Sequence, residues 1–285
     1  MTIALGILHP GEMGASLAQS ALNTLGKVYW CSQGRSEATR DRAAKAGLTD
    51  TGSLDVFVDT CQIIISICPP HAALAQAELL IAKQYQGIYV DANAVAPATA
   101  IHIGSLCEAA GMQFVDGGIV GLPTTRSGTT WLYLSGTQAA LVQECFAAGP
   151  FETRILGPEP GQASALKMCY AAWNKGKTAL FTAVLAAAQS MEVREALKEQ
   201  WELSEPGFAE AAERRMCQVA RKAWRFTGEM QEIASTLEQC NLPGDFFTGA
   251  AEIYQRQSCF KNTPEPPTLP ELLDQIAGNK KPASN

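Results

Sequence analysis

A histidine, a proline and two glycines stand at fixed spacing just after the first apolar segment of the chain, residues 2–8. They lie in the run His9-Pro10-Gly11-Glu12-Met13-Gly14, which also opens a helical pattern. In such a turn Gly11 lets the backbone approach a pyrophosphate, Gly14 lets the helix pack closely on the strand, and free N–H groups at the helix start attract phosphate. The run matches the G-x-G-x-x-G pattern of dinucleotide-binding turns, except that His9 replaces the first glycine. Two interpretations stay open: a dinucleotide site in which His9 approaches the phosphates or ribose, and an ordinary strand–turn–helix.

The turn Ser32-Gln33-Gly34-Arg35-Ser36 bears on which dinucleotide would bind. NAD-preferring domains carry an Asp or Glu about 20 residues after the glycines, where it holds the ribose 2′-hydroxyl. Here the first acid is Glu37, and Ser32, Arg35 and Ser36 offer hydroxyls and a guanidinium, which suit a 2′-phosphate. The turn therefore predicts NADP(H) as cofactor. The alternative is a solvated turn in which Ser36 caps the following helix.

The elements that would hold these turns alternate regularly up to residue 157. Short apolar runs predict strands at 2–8, 27–31, 63–67, 88–91, 113–116, 130–134 and 153–156. Amphipathic segments between them predict helices at 12–24, 37–45, 72–82 and 97–110. Alternation of this kind builds a parallel sheet that is covered on both faces. We therefore expect a Rossmann-type, doubly wound α/β domain over residues 1–157.

The pattern changes after the turn 157–161, which reads Gly-Pro-Glu-Pro-Gly. One alanine-rich helical pattern covers 162–189, and further helical patterns cover 208–225, 228–240 and 246–258. We expect a smaller all-α domain for substrate binding and dimerisation over 158–265. The tail, 266–285, is rich in proline and then polar and basic, with one short helix at 269–276. We expect this tail to be partly flexible.

Composition and charge exclude several classes of function. The chain has 285 residues and a net charge of −6, so it has no general attraction to nucleic acid or anionic membranes. No apolar run is long enough to span a bilayer, and the N-terminus is not typical of a leader peptide. The nine cysteines lack zinc-ligand spacing and suit free thiols in a reducing cytosol. We expect a cytoplasmic protein without a metal site, and the absence of G-x-S-x-G argues against a serine hydrolase.

Together with the run at 9–14, three further segments resemble one family, the β-hydroxyacid dehydrogenase and 6-phosphogluconate dehydrogenase superfamily. They are Ile65-Ser66-Ile67-Cys68-Pro69-Pro70, Val90-Asp91-Ala92-Asn93-Ala94-Val95-Ala96-Pro97 and Gly161-Gln162-Ala163-Ser164-Ala165-Leu166-Lys167. In order, they are similar to the family's strand that ends in a proline beside the cofactor, its D-x-S-T-x-x-P segment near the nicotinamide, and its G-x-G-x-x-x-K segment. The resemblance covers the whole chain and is greatest to a branch with no settled substrate. It implies cofactor contacts at Cys68, Pro69, Pro70 and Asn93.

The same resemblance implies hydride transfer between C4 of a nicotinamide and a carbon that bears oxygen. Lys167 is then the group that takes or supplies the hydroxyl proton. Lys167, Tyr170 and Asn174 share one helical face by their spacing of i, i+3 and i+7, so Tyr170 would add a second proton donor and Asn174 a substrate hydrogen bond. The family usually has asparagine near Tyr170 and Ala171, so the lysine is kept while its partners differ. The alternative interpretation is a polar stripe on a mostly apolar helix.

Residues 116–123 correspond to the family's D-A-P-V-S-G-G substrate loop. Val120 stands where that loop has its serine and Gly121 is retained, which predicts a less polar substrate pocket. Arg126 on the nearby loop would replace the anion contact, or is simply solvated. Asn93 would hydrogen-bond the nicotinamide amide or the substrate, or is a turn residue.

The sequence therefore predicts an NADPH-dependent oxidoreductase acting on a hydroxyacid-like or carbonyl small molecule. Two alternatives stay open: an imine reductase on the same architecture, a class that commonly lacks the lysine, and a non-catalytic NADPH-binding sensor. A homodimer is expected from the resemblance and from the helix at 162–189, which is apolar nearly all round and is therefore predicted to be buried. The substrate, the direction of the reaction and any later decarboxylation are left open by the sequence.

Overall fold

A single sheet of eight strands organises the first half of the chain in the computed structural model, which describes residues 3–261 and 263–278. In chain order the strands are β1 (Leu5–Ile7), β2 (Val28–Trp30), β3 (Thr49–Asp50), β4 (Ile63–Ser66), β5 (Ile88–Asp91), β6 (Gln113–Val120), β7 (Trp131–Ser135) and β8 (Glu152–Gly157). Across the sheet the order is β3-β2-β1-β4-β5-β6-β7-β8, and all neighbours are parallel except β6 and β7. This confirms the predicted Rossmann-type fold. The chain order reverses between β1 and β4, the point at which such sheets open a ligand crevice beyond the carboxyl ends of their strands.

Six described helices connect these strands. They are α1 (Glu12–Leu25), α2 (Glu37–Lys45), α3 (Leu54–Thr60), α4 (Ala73–Ala82), α5 (Pro97–Ala109) and α6 (Ala139–Glu144). Side-chain caps set two of their starts, because the Ser36 and Ser53 hydroxyls accept backbone N–H groups of α2 and α3. The bounds of α2 are those predicted. The sequence pattern does not predict β3, α3 or α6, because each is too short to show a clear period.

Apolar side chains point to both faces of the sheet, so helices must cover each face. In β4, Ile63 and Ile65 belong to the core on one face, and Ile64 belongs to the core on the other. Successive strand residues point to opposite faces, so a continuous apolar run needs cover on both sides. Leu17 of α1 and Phe57 of α3 are fully buried in these two cores.

The second half of the described chain is helical, as the sequence predicts. After α7 (Gln162–Ala171) the helix makes one π turn, Ala172–Gly176, and continues as α8 (Lys177–Ser190). The prediction of one uninterrupted helix over 162–189 is therefore wrong at its centre, because a π turn adds a residue to the helical repeat. The remaining helices are α9 (Arg194–Ser204), α10 (Phe208–Ala220), α11 (Phe226–Gln239), α12 (Asp245–Arg256) and α13 (Leu269–Ala277). No helix within 3–261 and 263–278 is long and apolar enough to cross a membrane.

The chain divides into two compact units, with the boundary between Met168 and Cys169. This boundary lies inside α7, whereas the sequence places a domain boundary after residue 157. The predicted domains, 1–157, 158–265 and 266–285, and their roles stay predictions. Residues 279–285 of the expected flexible tail lie outside the described residues.

The second unit has an apolar core of its own. The rings of Phe181, Trp201 and Phe208 meet with centroids 5.2–5.7 Å apart. In the π turn, the Lys175 carbonyl accepts the Tyr254 hydroxyl over 2.8 Å. This bond gives a partner to one carbonyl of the irregular turn, which helps the helix to tolerate it.

Candidate cofactor and active site

The turn between β1 and α1 packs so closely that its last glycine is obligatory. A Cβ on Gly14 would stand 2.3 Å from the His9 carbonyl oxygen. The Gly11 amide donates to that same oxygen over 2.8 Å, and nothing lies within 4 Å of the point that a Gly11 Cβ would occupy. The backbone at Gly11 is therefore open to a ligand at the start of α1, and the N–H groups at a helix start attract anions.

His9 takes the place of the first glycine without backbone strain. Three non-glycine residues of the described chain have a left-handed backbone, and His9 is not among them. Glycine is therefore not required there for conformation. Pro10 is buried, and its carbonyl accepts Arg42 Nη1 from α2 over 3.2 Å. Glu12 and Met13 begin α1, and Met13 packs on the core of the sheet.

The turn after β2 is held by hydrogen bonds to its backbone. Asp50 Oδ1, at the end of β3, accepts the Ser32 amide over 3.0 Å and the Gly52 amide over 2.8 Å. Arg40 of α2 donates to the carbonyl oxygens of Ser32 and Arg35 over 3.1 Å and 3.3 Å. Burial acts to raise the pKa of Asp50, but hydrogen bonds from Ser32 and Gly52 outweigh it and lower that pKa, so the carboxylate stays charged at neutral pH.

Ser36 acts as the N-cap of α2, which is the simpler of its two predicted roles. Its Oγ accepts the Thr39 amide over 3.4 Å and lies 3.1 Å from Thr39 Oγ1. Arg40 and Arg42 also hold the two turns by hydrogen bonds to their carbonyl oxygens, and the sequence pattern alone does not predict these roles. The signal that could have found them is their place in the first turns of α2, directly after the turn that would face the cofactor.

Arg35 links the two turns. Its Nη2 lies 3.3 Å from His9 Nδ1. A guanidinium can only donate, so the His9 ring accepts at Nδ1 and is neutral. Burial, followed by the nearby Arg35 charge, lowers the pKa of His9 to about 4. The Arg35 Nε is buried and has no hydrogen-bond partner within the described chain, so one donor of the guanidinium is left unsatisfied.

Asn93, which follows β5, fixes the segment after β4. Its Oδ1 accepts the Cys68 amide over 2.5 Å, and its Nδ2 donates to Ser66 Oγ over 3.4 Å. Asn93 is buried, so the structure gives its side chain a role in holding the turn. Pro69 and Pro70 then lead into a short 3₁₀ turn. Burial raises the pKa of the Cys68 thiol to about 11, so the thiol carries its proton at neutral pH.

Two buried carboxyls stand side by side where β5 and β6 pair. Asp91 and Asp116 are direct neighbours across the two strands. Asp91 Oδ1 accepts the Asn93 amide over 2.9 Å, and burial raises the pKa of Asp91 to about 7. Asp91 therefore carries a proton over much of the acidic range, which limits repulsion between the two groups. In the part of the chain that the structure describes, no three His, Cys, Asp or Glu side chains gather to hold a metal ion.

Asp116 clamps the start of α7. Its Oδ2 accepts the Gly161 amide over 2.9 Å and the Ser164 amide over 3.0 Å, and its Oδ1 accepts the Ser164 hydroxyl over 2.5 Å. The Ser135 hydroxyl of β7 also donates to Asp116 over 3.0 Å and accepts the Ala163 amide over 3.1 Å. Three N–H groups at the start of α7 are thereby bonded to side chains of the sheet. A carboxylate at this position also interacts favourably with the positive end of the helix dipole.

Lys167 lies on α7 where the helix packs on β6. A Cβ on Gly118 of β6 would stand 2.6 Å from the Ala163 carbonyl oxygen and 3.1 Å from Lys167 Cβ. Gly117 faces the other side of β6, and a Cβ added to it would stand 3.2 Å from the Asp91 carbonyl oxygen. The glycine pair and the Asp116 clamp therefore fix the backbone of Lys167 beside the carboxyl end of β5.

The predicted substrate residues differ in their settings. Residues 117–120 belong to β6 rather than to a loop, so the predicted strand end at Asp116 is wrong; the two glycines weaken the strand pattern but still pair with β7. Val120 is therefore a buried strand residue. Gly121 has φ +127°, and a Cβ there would stand 2.6 Å from the Thr129 carbonyl oxygen, so glycine is required. Arg126 is exposed on the loop between β6 and β7.

Tyr170 and Asn174 belong to the second unit. Tyr170 is exposed near the end of α7. Asn174 lies inside the π turn, and its Nδ2 donates to the Tyr170 carbonyl oxygen over 3.0 Å. The regular i, i+7 spacing that places Asn174 on the face of Lys167 is therefore interrupted before Asn174 is reached.

The domain signatures agree with this architecture. Residues 4–147 match the model for the NAD binding domain of 6-phosphogluconate dehydrogenase, and residues 188–257 match a domain of unknown function, DUF1932. The chain belongs to this 6-phosphogluconate dehydrogenase-type NAD-binding family. The match confirms the resemblance read from the sequence, and with it the class of NAD(P)-dependent oxidoreductases.

Three proteins illustrate the relationship. An uncharacterized 28.5 kDa protein in the 7S RNA 5′ region of Methanothermus fervidus is 30% identical over 202 residues, which cover 70% of this chain and 77% of that protein. A solved conserved protein of unknown function, described as structurally similar to 3-hydroxyacid dehydrogenases, is 29% identical with a TM-score of 0.63 and coverage of 90% and 99%. Mycobacterium tuberculosis 3-hydroxyisobutyrate dehydrogenase, solved with L-serine, is 14% identical with a TM-score of 0.70 and coverage of 99% and 100%. At that identity the third likeness shows the fold alone.

Proposed function

We propose that this protein is an NADPH-dependent oxidoreductase that transfers a hydride between the nicotinamide and a hydroxyacid-like or carbonyl substrate. The observation that carries the proposal is Lys167, fixed by Gly118 and the Asp116 clamp beside the carboxyl ends of parallel strands. Ligands of doubly wound sheets bind at those strand ends. A partly buried lysine there, in a chain of an NAD-binding family, suits proton transfer next to a hydride.

The described residues fit a dinucleotide with a 2′-phosphate. The backbone of the turn 9–14 and the start of α1 would hold the pyrophosphate, and Cys68, Pro69, Pro70 and Asn93 would line the nicotinamide half. Arg35, with its unpartnered Nε, would bind the 2′-phosphate beside Ser32 and Ser36. When bound, the nicotinamide supplies the hydride in reduction and accepts it in oxidation.

Lys167 handles the proton that accompanies the hydride. In reduction, the Lys167 ammonium gives a proton to the carbonyl oxygen as its carbon gains the hydride, and a hydroxyl forms. In oxidation, the neutral amine takes the hydroxyl proton as the carbon loses the hydride. Tyr170 as a second proton donor and Asn174 as a substrate contact remain part of this proposal, as do Val120, Gly121 and Arg126 as substrate contacts.

The test compares Lys167→Ala with the parent on a panel of carbonyl compounds. Loss of general acid catalysis should lower turnover by about 10²–10⁴-fold, while NADPH binding changes little. Lys27→Ala is the matched control, because Lys27 is exposed at the amino end of β2, away from the strand ends in question. Equal turnover by the Lys167→Ala variant and the parent would contradict the mechanism.

Reduction of a C=N bond is a second candidate. It is favoured by the exposed Tyr170 and by Val120 in place of a serine. The panel therefore includes cyclic imines. Imine turnover that survives Lys167→Ala would favour the imine reductase, and NADPH binding without turnover of any compound would favour the non-catalytic sensor.

We also propose a homodimer formed through α8. This helix is not buried all round: Leu180, Val184 and Met191 beyond its end are 50%, 37% and 65% exposed. Their spacing of four and seven residues puts them on one face, where apolar side chains favour association. Sedimentation should give a dimer at micromolar concentration, and Leu180→Glu with Val184→Glu should give a monomer. A monomeric parent would refute this assignment.

We also propose that the protein resides in a reducing compartment such as the cytosol. All nine cysteines are free in the structure, and those at 169, 240 and 259 are exposed. Exposed thiols of this kind persist where disulfides are kept reduced. Labelling of the protein in intact cells should find these three thiols reduced, whereas oxidised thiols would argue for another compartment.

A further inference from the structure

The conformation of the dinucleotide-binding turn does not explain why residue 9 is a histidine. At this place the phosphate-binding pattern needs only a tight turn, which glycine supplies. The backbone of His9 is not left-handed, so the histidine is tolerated, but nothing in the turn requires an imidazole. Its function must come from what the ring contacts.

The ring contacts the residue that would read the 2′-phosphate. Arg35 Nη2 lies 3.3 Å from His9 Nδ1, so the imidazole accepts a hydrogen bond from the guanidinium. The two residues are 26 positions apart and lie after neighbouring parallel strands, β1 and β2. His9 thus restrains a long side chain that would otherwise move among several rotamers.

The contact with His9 leaves another donor of Arg35 unsatisfied. Its Nε is buried and has no hydrogen-bond partner in the described residues. Arg40 holds the carbonyl oxygen of Arg35 over 3.3 Å and so fixes the backbone from which the side chain departs. A guanidinium held at one Nη and at its backbone is preorganised to bind a phosphate with its other N–H groups.

We propose that His9 is a specificity-determining residue, which orients Arg35 toward the 2′-phosphate of the adenosine half of the cofactor. This rests on the NADPH preference proposed above and names a further residue that sets it. Since the 2′-phosphate is the group that separates NADPH from NADH, His9 should affect the affinity for NADPH and leave that for NADH nearly unchanged.

The experiment measures the dissociation constants of NADPH and NADH by titration of their intrinsic fluorescence, so it needs no substrate. His9→Gly restores the usual glycine and removes the acceptor, and His9→Asn returns an acceptor near the position of Nδ1. Arg35→Ala removes the phosphate contact itself. Thermal unfolding of each variant checks that the domain is folded.

The parent should bind NADPH at least tenfold more tightly than NADH, and Arg35→Ala should abolish that ratio. His9→Gly should weaken NADPH binding about tenfold, the size of one charge-assisted hydrogen bond, with NADH changed less than about twofold. His9→Asn should recover most of the loss. If the parent shows no preference, the proposed cofactor is wrong. If the parent and Arg35→Ala behave as expected but His9→Gly keeps the full ratio, or loses both cofactors equally, the role of His9 is refuted while the cofactor proposal stands.

Discussion

Removing the Asp116 carboxylate should loosen the start of α7 and therefore the part of this helix that positions Lys167. The carboxylate is buried and accepts four hydrogen bonds, two from backbone amides and two from hydroxyls. Asp116→Ala leaves these donors without their acceptor. Each buried unsatisfied group costs about 1–3 kcal/mol, but relaxation and the entry of water make such costs less than additive. We expect a loss of about 3–5 kcal/mol in the free energy of unfolding, which is above the usual cost of a single substitution because a buried hydrogen-bond network is broken.

Asp116→Asn gives a graded comparison. The amide oxygen can still accept the three donors that now meet Oδ2, and the amide nitrogen can donate to the Ser164 hydroxyl. What is lost is the negative charge at the start of the helix, so about 1–2 kcal/mol is expected. Asp55→Ala is the surface control, because Asp55 is 71% exposed and its ion pair with Lys83 should contribute less than about 1 kcal/mol.

Urea unfolding gives the free energies, and hydrogen exchange followed by NMR gives the location. The amides of Gly161, Ala163 and Ser164 should lose protection in Asp116→Ala, retain much of it in Asp116→Asn and keep all of it in Asp55→Ala. A cost below about 1 kcal/mol for Asp116→Ala, or unchanged exchange at these three amides, would refute the clamp.

Three further predictions concern Gly118, Asp91 and His9. Gly118→Ala should destabilise the protein by about 2–3 kcal/mol in urea unfolding, because the new methyl group would meet the backbone of α7; a neutral effect would mean that the helix lies farther away. The pKa of Asp91 in the folded protein is raised to about 7, so ionisation of this carboxyl destabilises the parent as the pH rises. Between pH 4 and pH 8, the free energy of unfolding of Asp91→Asn should therefore rise by about 2–4 kcal/mol relative to that of the parent. A difference between the two proteins that does not vary with pH would contradict this. The pKa of His9 in the folded protein is lowered to about 4, so the unfolded chain binds a proton at this ring more readily than the folded one. As the pH falls from 6.5 toward 4, the free energy of unfolding of the parent should therefore drop by about 3 kcal/mol. The drop should be smaller in His9→Asn, and parallel curves for the two proteins would argue against a buried neutral ring.

Elements with strong local signals were predictable from the sequence. The β-branched run of β4 and the apolar run of β5 allow little other than buried strands. The Ser36 cap sets the start of α2, and Gly47 follows its end, so its bounds match the prediction. The order of these elements, together with the glycine turn, was enough to indicate the fold and the family.

Contacts between distant residues were not predictable in the same way. Asp116 meets Gly161 and Ser164 across 45 and 48 positions, and no local pattern announces such a bond. The His9–Arg35 contact depends on two turns that become neighbours only when β1 pairs with β2. The π turn at 172–176 escaped prediction because an alanine-rich pattern reads the same with or without one inserted residue.

Transfer of deuterium from NADPH labelled at C4 is the most direct measurement of the central claim. The protein is incubated with the labelled cofactor and the carbonyl and imine panel, and mass spectrometry detects products that carry the label at the reduced carbon. We expect a labelled alcohol from a hydroxyacid-like or carbonyl compound, with formation suppressed by Lys167→Ala and unaffected by Lys27→Ala. Labelled product formed equally well by Lys167→Ala, or tight NADPH binding with no label transferred to any carbonyl compound, would contradict it.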